Sequence, residues 1–291
     1  MSNPAQPPGS DAAAAPPPRR GMAIVANDKI GDWLWPFLES WKRTNDAVPL
    51  YLIPYDDNLD LTRRAADAYG VTIVEDEPRE IDRLAASVYP LFPGHRRRLR
   101  KLQCLALPLD EVIYIDVDVV LFRDMRPLFG HLSKGETDIV VASPSFEYVY
   151  NRKKDDHDFL RNALLFSDGF FLTSSRLLNL DMFIKTIERD MKLFNSVRKR
   201  GMLFSQPLVN FVCHRNGLSI RIVSDLEPTA SHETFYKATG VTWRDGAPLD
   251  QAGRDIYFCH WAGGSKSLPT NGPFDAAWRE FAAGARARLK L

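Results

Sequence analysis

The sequence predicts an α/β protein with a mostly parallel, Rossmann-like sheet flanked by helices. Short apolar segments rich in β-branched residues alternate with longer segments whose apolar residues recur every three or four positions. Strands that alternate with helices favour a parallel sheet with helices on both faces. The 291 residues fit one large domain of this class, and no linker is visible in the sequence.

The first elements have clear boundaries. An apolar strand is predicted at 22–26, and it ends at Asn27 and Asp28, which favour turns. Large apolar side chains then recur at helical spacing from Trp33 to Trp41. The alternation continues with a strand at 50–54, a helix at 61–69 that ends at the C-cap residue Gly70, and a strand at 71–74.

The same reasoning extends to the rest of the chain. The predicted elements are a basic, then amphipathic helix at 96–107, strands at 112–122 and 138–142, a charged loop at 151–158, an apolar run at 164–173, helices at 177–198 and 204–212, and strands at 220–223 and 255–259.

Residues 1–20 are predicted to form a disordered tail, and residues 21–291 the folded domain. The tail is mainly Pro, Ala, Ser and Gly, so it has too few large apolar side chains to form a core. Its basic pair, Arg19 and Arg20, follows the alanine run, whereas a signal peptide has the reverse order. We therefore expect no secretory leader in this segment.

Composition argues against several classes of protein. The net charge of +1 gives no support for a nucleic-acid partner. No uncharged segment reaches the roughly 18 residues that a transmembrane helix needs. Cys104, Cys213 and Cys259 are widely spaced and odd in number, so neither a disulfide framework nor a zinc site is expected. These features predict a cytoplasmic protein.

The segment 112–122 carries the first chemical signal. Its β-branched and aromatic residues predict one buried strand, in which Asp116 and Asp118 point to the same side. Two carboxylates on one side of an apolar strand repel each other and lose hydration. A hard cation such as Mg²⁺ or Mn²⁺ removes both penalties. The alternative is a pair at a strand end that points into water.

A second signal follows the last predicted strand, in the pattern His260-x-x-Gly263-x-x-Lys266. Imidazole can complete a Mn²⁺ site that carboxylates begin. Gly263 and Gly264 allow close approach of the backbone to a ligand and can form an anion nest. Lys266 supplies a mobile charge that suits phosphate. A cation, a lysine and backbone amides together suit a diphosphate.

Four segments in order resemble a known family. Residues 101–107 resemble its KLxCxxL helix, 114–118 its hhDxD strand, 166–170 its FNxGV segment and 260–266 its HxxGxxK loop. The resemblance spans roughly residues 21–270. The sequence is thus similar to GT-A glycosyltransferases of the glycogenin and lipopolysaccharide galactosyltransferase type, glycosyltransferase family 8.

This resemblance implies a single GT-A (nucleotide-diphospho-sugar transferase) domain with hexosyltransferase activity. The donor would be a nucleotide sugar, expected to be UDP-linked, and the anomeric configuration would be retained. Asp116, Asp118 and His260 would bind the metal, Mn²⁺ or Mg²⁺, and Asp116 would also contact the ribose. The acceptor is left open among glycan, lipid, protein and small molecule.

The resemblance also implies roles for donor-binding residues. Lys266 would hold the diphosphate, and Lys101 would lie near the donor phosphate and sugar. Asn27 and Asp28 fall where the family contacts the base and ribose, although the tyrosine that follows this loop in the family is missing here.

The sequence departs from the family pattern at the sugar and acceptor end. The family's Asn-x-Gly is Ser167-Asp168-Gly169, and we expect Asp168 to contact a sugar hydroxyl as part of the catalytic site; the alternative is a turn residue. The family's DQxxLN motif begins with Ser205, so its acidic residue is lost. The aromatic residue that follows the family's lysine-proline pair is also absent after Lys266.

Three other functions are compatible with an Asp-x-Asp motif or with a fold of this class. A phosphatase of the haloacid dehalogenase type would carry Asp-x-Asp on its first strand and a later Gly-Asp-x-x-x-Asp motif, which this sequence lacks. A nucleotidyltransferase would need a Gly-rich phosphate loop after the first strand, and residues 26–31 do not supply one. A catalytically reduced module that binds a nucleotide sugar or a partner is the main alternative to a glycosyltransferase.

Overall fold

The computed structural model describes residues 16–144, 149–199, 201, 204–262 and 272–291. The strands in these ranges are β1 (Arg20–Ala26), β2 (Leu50–Pro54), β3 (Thr72–Ile73), β4 (Glu111–Ile115), β5 (Val119–Leu121), β6 (Ile139–Val141), β7 (Phe170–Ser174), β8 (Ile220–Ile222), β9 (Thr242–Arg244), β10 (Ala247–Leu249) and β11 (Phe258–His260).

The helices surround these strands. The α-helices are α1 (Gly31–Thr44), α2 (Asp60–Tyr69), α3 (Arg79–Val88), α4 (Phe129–Ser133), α5 (Asp158–Arg161), α6 (Leu180–Val197), α7 (Gln206–Arg215), α8 (Val223–Leu226) and α9 (Asp275–Leu289). Segments of 3₁₀ helix are Asp28–Ile30, Pro93–Ala106, Arg126–Leu128 and Arg152–Asp156.

A seven-stranded sheet lies at the centre, in the order β3-β2-β1-β4-β7-β6-β8. Every pairing in it is parallel except those of β7, which runs antiparallel to β4 and β6. Two small antiparallel sheets, β10-β9 and β11-β5, accompany it. The predicted α/β class and mostly parallel sheet are confirmed.

Helices cover both faces of the central sheet. Val112 and Tyr114 of β4 belong to a core built with α3, α6 and α7, whereas Ile113 and Ile115 belong to a core built with α1, α2 and α9. This alternation follows from the two-residue period of a strand. A third apolar cluster joins α1 to α9 through aromatic rings that include Trp33. The strand β4, which leads into the turn with the Asp pair, is therefore buried on both sides.

Several predicted elements differ from the structure. The strand predicted at 112–122 is two strands, because β4 ends at Ile115 and β5 begins at Val119 in another sheet. The break leaves the Asp116 and Asp118 side chains partly exposed instead of burying two charges inside a sheet. The last strand, predicted at 255–259, lies at Phe258–His260.

The helix predicted at 96–107 is a 3₁₀ segment that spans Pro93–Ala106. Its arginines bind separate neighbours: Arg96 donates to the backbone of Tyr89 and Pro90, and Arg97 pairs with Asp56. Contacts of individual side chains thus compete with the helical pattern of the sequence, which is a weak determinant by itself.

The folded part of the chain begins before the predicted boundary at residue 21. Arg20 belongs to β1 and pairs with Glu111 at 2.7 Å, and Arg19 pairs with Asp110 at 3.4 Å. The placement of these two arginines in the tail was wrong, because acidic partners at the start of β4 extend the first strand. Residues 1–15 lie outside the described ranges, so the predicted tail stays a prediction there.

His214 gives a test of stability against pH. Its Nε2 lies 2.9 Å from the carbonyl of Leu164 and so donates, which leaves Nδ1 to accept from the Tyr150 hydroxyl at 2.9 Å. Burial lowers the pKa of His214 to about 4. Because the unfolded chain binds a proton at roughly pH 6.5, stability should fall by up to roughly 3 kcal/mol as the pH drops from 6.5 through 4.

His214→Gln should remove this pH dependence, since the amide keeps one donor and one acceptor but does not titrate. Urea unfolding at pH 7 and pH 4.5 measures the difference. His232→Gln, at an exposed histidine, is the control and should keep the wild-type difference in unfolding free energy between the two pH values. The same difference in His214→Gln as in the wild type would contradict the role of His214 in this pH dependence.

Candidate active site

The candidate site lies where the chain leaves the central sheet. β4 ends at Ile115, the turn carries Asp116 and Asp118, and β5 follows in the small sheet. β11 pairs antiparallel with β5 and sets His260 opposite Val119. The backbone N–H of Trp261 donates to the carbonyl of Asp118 at 2.9 Å. This pairing brings two distant motifs together at the carboxyl end of β4.

Asp116, Asp118 and His260 form a cluster that could hold a metal ion. One ligand atom from each lies within 4.8 Å of the other two. His260 Nε2 is 3.0 Å from Asp118 Oδ1 and 4.0 Å from Asp116 Oδ2. Two hard carboxylate oxygens and one imidazole nitrogen suit Mn²⁺ and similar ions. The donor set therefore fits the cation that the sequence predicts.

Asp118 and His260 each favour the charged form of the other. Burial alone would lower the pKa of His260, but the Asp118 carboxylate at 3.0 Å raises it. Burial likewise opposes ionisation of Asp118, yet the charge of His260 and its hydrogen bond hold the pKa of Asp118 below its usual value. A cation must displace the proton of this ring, so acid should weaken metal binding.

Gly169 lies against the cluster. Its carbonyl accepts a hydrogen bond from the Asp116 backbone N–H at 2.8 Å. A Cβ at this position would stand 2.6 Å from His260 Cε1 and 3.0 Å from Asp116 Oδ2. Only glycine leaves room for the imidazole here.

Gly169→Ala should therefore displace His260 and weaken Mn²⁺ binding by roughly 10-fold or more, as loss of outer-shell support does in other metal sites. Isothermal titration with MnCl₂ measures the effect. Gly130→Ala is the matched control, because a Cβ there meets nothing within 4 Å and the added methyl favours helix α4. Wild-type affinity in the Gly169 variant would refute the packing argument.

Lys101 links the cluster to Asp168. Its Nζ is 3.4 Å from Asp116 Oδ1 and 3.1 Å from Asp168 Oδ2, and it donates to the Asp168 carbonyl at 3.1 Å. The ammonium also lies 4.8 Å from the centre of the Tyr114 ring. Burial would lower the pKa of Lys101, but Asp116 and Asp168 outweigh burial and raise it. Lys101 is thus a buried cation between two carboxylates.

Asp168 is held at the entrance of β7. Its side chain is 8% exposed, and Ser205 Oγ donates to Oδ2 at 2.5 Å. Phe166 lies two residues before Asp168, and Asn210 of α7 binds its backbone. The Asn210 side chain accepts from the Phe166 N–H at 3.0 Å and donates to the Phe166 carbonyl at 2.9 Å. The segment 166–169 is therefore fixed by α7 as well as by β7.

Asp28 caps a helix. Its Oδ1 accepts from the N–H and the hydroxyl of Thr62, and its Oδ2 accepts from the N–H of Leu61, at the start of α2. Burial opposes ionisation, but these hydrogen bonds hold the pKa of Asp28 below its usual value. This capping role was not predicted from the sequence, because Thr62 is 34 residues away from Asp28. The predicted contact of Asn27 and Asp28 with a nucleotide stays a prediction.

The predicted diphosphate-binding residues Gly263, Gly264 and Lys266 lie outside the described ranges. Two residues that contact the cluster were not predicted from the sequence. Tyr114 donates to Asp116 Oδ1 at 2.6 Å, and the ring of Phe235 stacks on that of His260 with the ring centres 6.1 Å apart. The aromatic position of Tyr114 two residues before Asp116 is visible in the sequence, whereas nothing links Phe235 to His260 there.

Comparison with known proteins supports the fold. No family model and no curated protein matches the sequence. The bifunctional glycosyltransferase WbbM (apo structure) is similar with a TM-score of 0.63 and 11% identity, over 94% of this chain and 51% of that one. The galactosyltransferase LgtC, in complex with donor and acceptor sugar analogs, is similar with a TM-score of 0.55 and 15% identity, over 91% and 95% of the two chains.

Mouse xyloside xylosyltransferase 1 (apo form) is similar with a TM-score of 0.53 and 11% identity, over 86% of this chain and 100% of that one. The chain spans about half the length of WbbM and 62% of GlyE from Streptococcus pneumoniae TIGR4, a further match. These similarities confirm the GT-A glycosyltransferase fold.

None of the helices in the described ranges combines the length and hydrophobicity needed to cross a bilayer.

Proposed function

We propose that this chain is a metal-dependent glycosyltransferase that moves a sugar from a nucleotide-diphosphate donor to an acceptor. The convergence of Asp116, Asp118 and His260 at the carboxyl end of β4 carries this proposal. Ligands of open α/β sheets bind beyond the carboxyl ends of the strands. The same fold in several glycosyltransferases supports the reaction class.

The residues of the cluster would bind Mn²⁺ or Mg²⁺, which supplies a Lewis acid that offsets charge on the leaving nucleotide. Lys266 and the amides of Gly263 and Gly264 would bind the diphosphate. Lys101 would hold the Asp116 carboxylate in place and present positive charge to the donor. We propose a UDP-sugar as donor, on the resemblance of the four sequence motifs.

We propose retention by same-face attack, in which the leaving phosphate accepts the proton of the incoming hydroxyl. A double displacement would need a free carboxylate nucleophile. Asp168 is the best placed carboxylate, but its ion pair with Lys101 and the hydrogen bond from Ser205 offset its negative charge and so weaken it as a nucleophile. This engagement supports same-face attack. Proton NMR of the product's anomeric centre tests retention, and inversion would contradict it.

The first experiment is a thermal-shift panel with MnCl₂ and UDP-glucose, UDP-galactose, UDP-N-acetylglucosamine or GDP-mannose. A bound ligand raises the stability of the folded state by RT ln(1 + [L]/Kd). If this proposal is right, the melting temperature rises only when both nucleotide and Mn²⁺ are present. Free sugar is then released, or the sugar is transferred to an acceptor. No shift with any nucleotide would overturn it.

The second candidate is a module that binds a nucleotide sugar or a partner without transferring the sugar. Ser205 supports this candidate, because it stands where the family's DQxxLN motif has an acidic residue. Mn²⁺-dependent binding without hydrolysis or transfer would favour this module. The acceptor remains open among glycan, lipid, protein and small molecule. The cytoplasmic location stays a prediction from the cysteine pattern.

A further inference from the structure

We propose that one surface beside the candidate active site docks on a membrane that contains anionic lipids. This docking surface consists of three exposed apolar side chains and three arginines: Leu91, Phe92, Phe204, Arg96, Arg98 and Arg198. The apolar side chains would enter the boundary between headgroups and acyl chains, and the arginines would bind lipid phosphates. Membrane binding of this kind does not require that the chain transfers a sugar.

Exposed apolar side chains cluster in this surface. Leu91 is 80% exposed, Phe92 44% and Phe204 45%. Phe204 lies far from the other two in the chain, but its carbonyl accepts a hydrogen bond from the Tyr89 hydroxyl at 2.5 Å. The turn that carries Leu91 and the segment before α7 therefore form one surface. Single exposed apolar residues are ordinary, whereas a contiguous group of them marks a contact site.

The backbone of this turn suits an apolar environment. The Tyr89 carbonyl accepts from the Phe92 N–H at 3.3 Å and from Arg96 Nε at 3.1 Å, and the Pro90 carbonyl accepts from the same guanidinium at 3.0 Å. Pro90 and Pro93 have no backbone N–H. Since acyl chains offer no partner to a free backbone group, these internal bonds remove a penalty that insertion would otherwise carry.

The arginines of the surface present positive charge, because they contact neutral groups. Arg96 binds the two carbonyls of the turn, Arg98 lies 4.6 Å from the centre of the Phe204 ring, and Arg198 lies 5.4 Å from the centre of a phenylalanine ring in α6. Burial raises the pKa of Tyr89, and the charges of Arg198 and Arg98 oppose this rise, so both lie near the Tyr89 hydroxyl. Charges of this sign complement anionic headgroups.

An anionic membrane fits this surface better than a nucleic acid does. The neighbouring Arg97 and Arg100 pair with Asp56 and Asp82 at 3.4 and 3.1 Å, so the basic run of the sequence carries less charge than its composition suggests. Nucleic-acid sites depend on many phosphate contacts. Here the most exposed of the six side chains is the apolar Leu91. A bilayer matches both the apolar turn and the few charges around it.

The docking surface borders the candidate active site. Phe204 directly precedes Ser205, whose hydroxyl donates to Asp168. Arg98 lies three residues before Lys101 in the same 3₁₀ segment. Docking would therefore hold the candidate site close to the lipid headgroups.

Sedimentation with vesicles tests the proposal. The full chain should bind vesicles of phosphatidylcholine with about one third phosphatidylglycerol. It should bind pure phosphatidylcholine much less, and about 0.5 M NaCl should weaken binding because salt screens the attraction. Leu91→Ser with Phe92→Ser should weaken binding by about 10-fold or more, since two large apolar side chains no longer leave water. No binding to the anionic vesicles, equal binding to both lipids, or wild-type affinity in the double variant would overturn the proposal.

The matched control is Leu61→Ser with Leu291→Ser. These leucines are 40% and 55% exposed, but Leu61 lies in α2 and Leu291 follows α9, on the other face of the central sheet from Tyr89. The control should keep the wild-type affinity for vesicles, and thermal melting checks that each variant folds. Equal losses in the two double variants would overturn the choice of surface.

A fluorescent label gives a second readout. All three cysteines of the chain are buried, so a thiol-reactive NBD dye labels Leu91→Cys selectively. Anionic vesicles should shift the emission of this label to the blue, whereas the same label on Ala283→Cys, at an exposed position of α9, should not respond. An unchanged emission at position 91 would overturn the proposal.

Analytical ultracentrifugation without lipid tests a second copy of the chain as the occupant. A dimer that Leu91→Ser with Phe92→Ser abolishes would assign the surface to self-association and overturn membrane docking. Vesicle binding by a protein that binds no nucleotide with Mn²⁺ would support the docking surface and refute the proposed function alone.

Discussion

Replacing Asp118 by Asn is expected to lower Mn²⁺-dependent transfer by about 10²-fold or more, the scale on which one electrostatic group contributes to catalysis. The amide keeps the shape of the carboxylate but not its charge, so it binds a divalent cation poorly. The backbone contact between Asp118 and Trp261 does not depend on the side chain, so the fold should persist. Initial rates over a MnCl₂ titration measure the loss.

Asp124→Asn is the matched control. Asp124 follows β5, and its side chain pairs with Arg126 near the surface. This variant should keep wild-type rates. Wild-type transfer that continues in excess EDTA would contradict the metal role of Asp118, and so would an Asp118→Asn enzyme with undiminished activity.

The second large effect is expected from Lys101→Met. The change leaves Asp116 and Asp168 without the buried cation that lies 3.4 and 3.1 Å from them. Breaking a buried ion pair by removing one partner typically costs about 3–5 kcal/mol. We expect the low end of that range, because the Asp116 side chain is 29% exposed and solvent screens its charge. Activity should fall together with stability, and urea unfolding measures the loss in the free energy of unfolding.

Two further variants test the cause of this loss. Lys101→Met with Asp168→Asn removes one of the unpaired charges, so it should regain much of the stability while activity stays low. Lys42→Met, which removes an exposed pair with Asp46, should change stability by less than about 1 kcal/mol. Equal destabilisation in the single and double Lys101 variants would show that packing, and not charge, dominates at this position.

Local signals in the sequence predicted some elements accurately. The strand at Leu50–Pro54 matches at both ends, and the second helix ends where Gly70 takes a left-handed backbone with φ of 71°. These elements depend on side chains that lie close together in the chain. The strand predicted at 112–122 was wrong, because the pattern of β-branched residues does not reveal that two acidic residues divide it between two sheets.

Residues of the site could be predicted from the sequence only where they belong to a recognisable motif. Asp116, Asp118 and His260 were identified from their types and spacing, and the structure brings them together. The pairing of β5 with β11 and the contact of Ser205 with Asp168 join segments distant in the chain, so no local pattern encodes them. The capping role of Asp28 was missed because its partner helix begins about thirty residues later.

The pairing of β5 with β11 has a consequence for biosynthesis. His260 follows Asp118 by 142 residues. At a synthesis rate of about 5–20 residues per second, the ribosome makes His260 roughly 7–28 s after Asp118. During that interval the nascent chain carries both carboxylates without the imidazole. The polypeptide therefore acquires its full set of candidate ligands only after all seven strands of the central sheet have been synthesised.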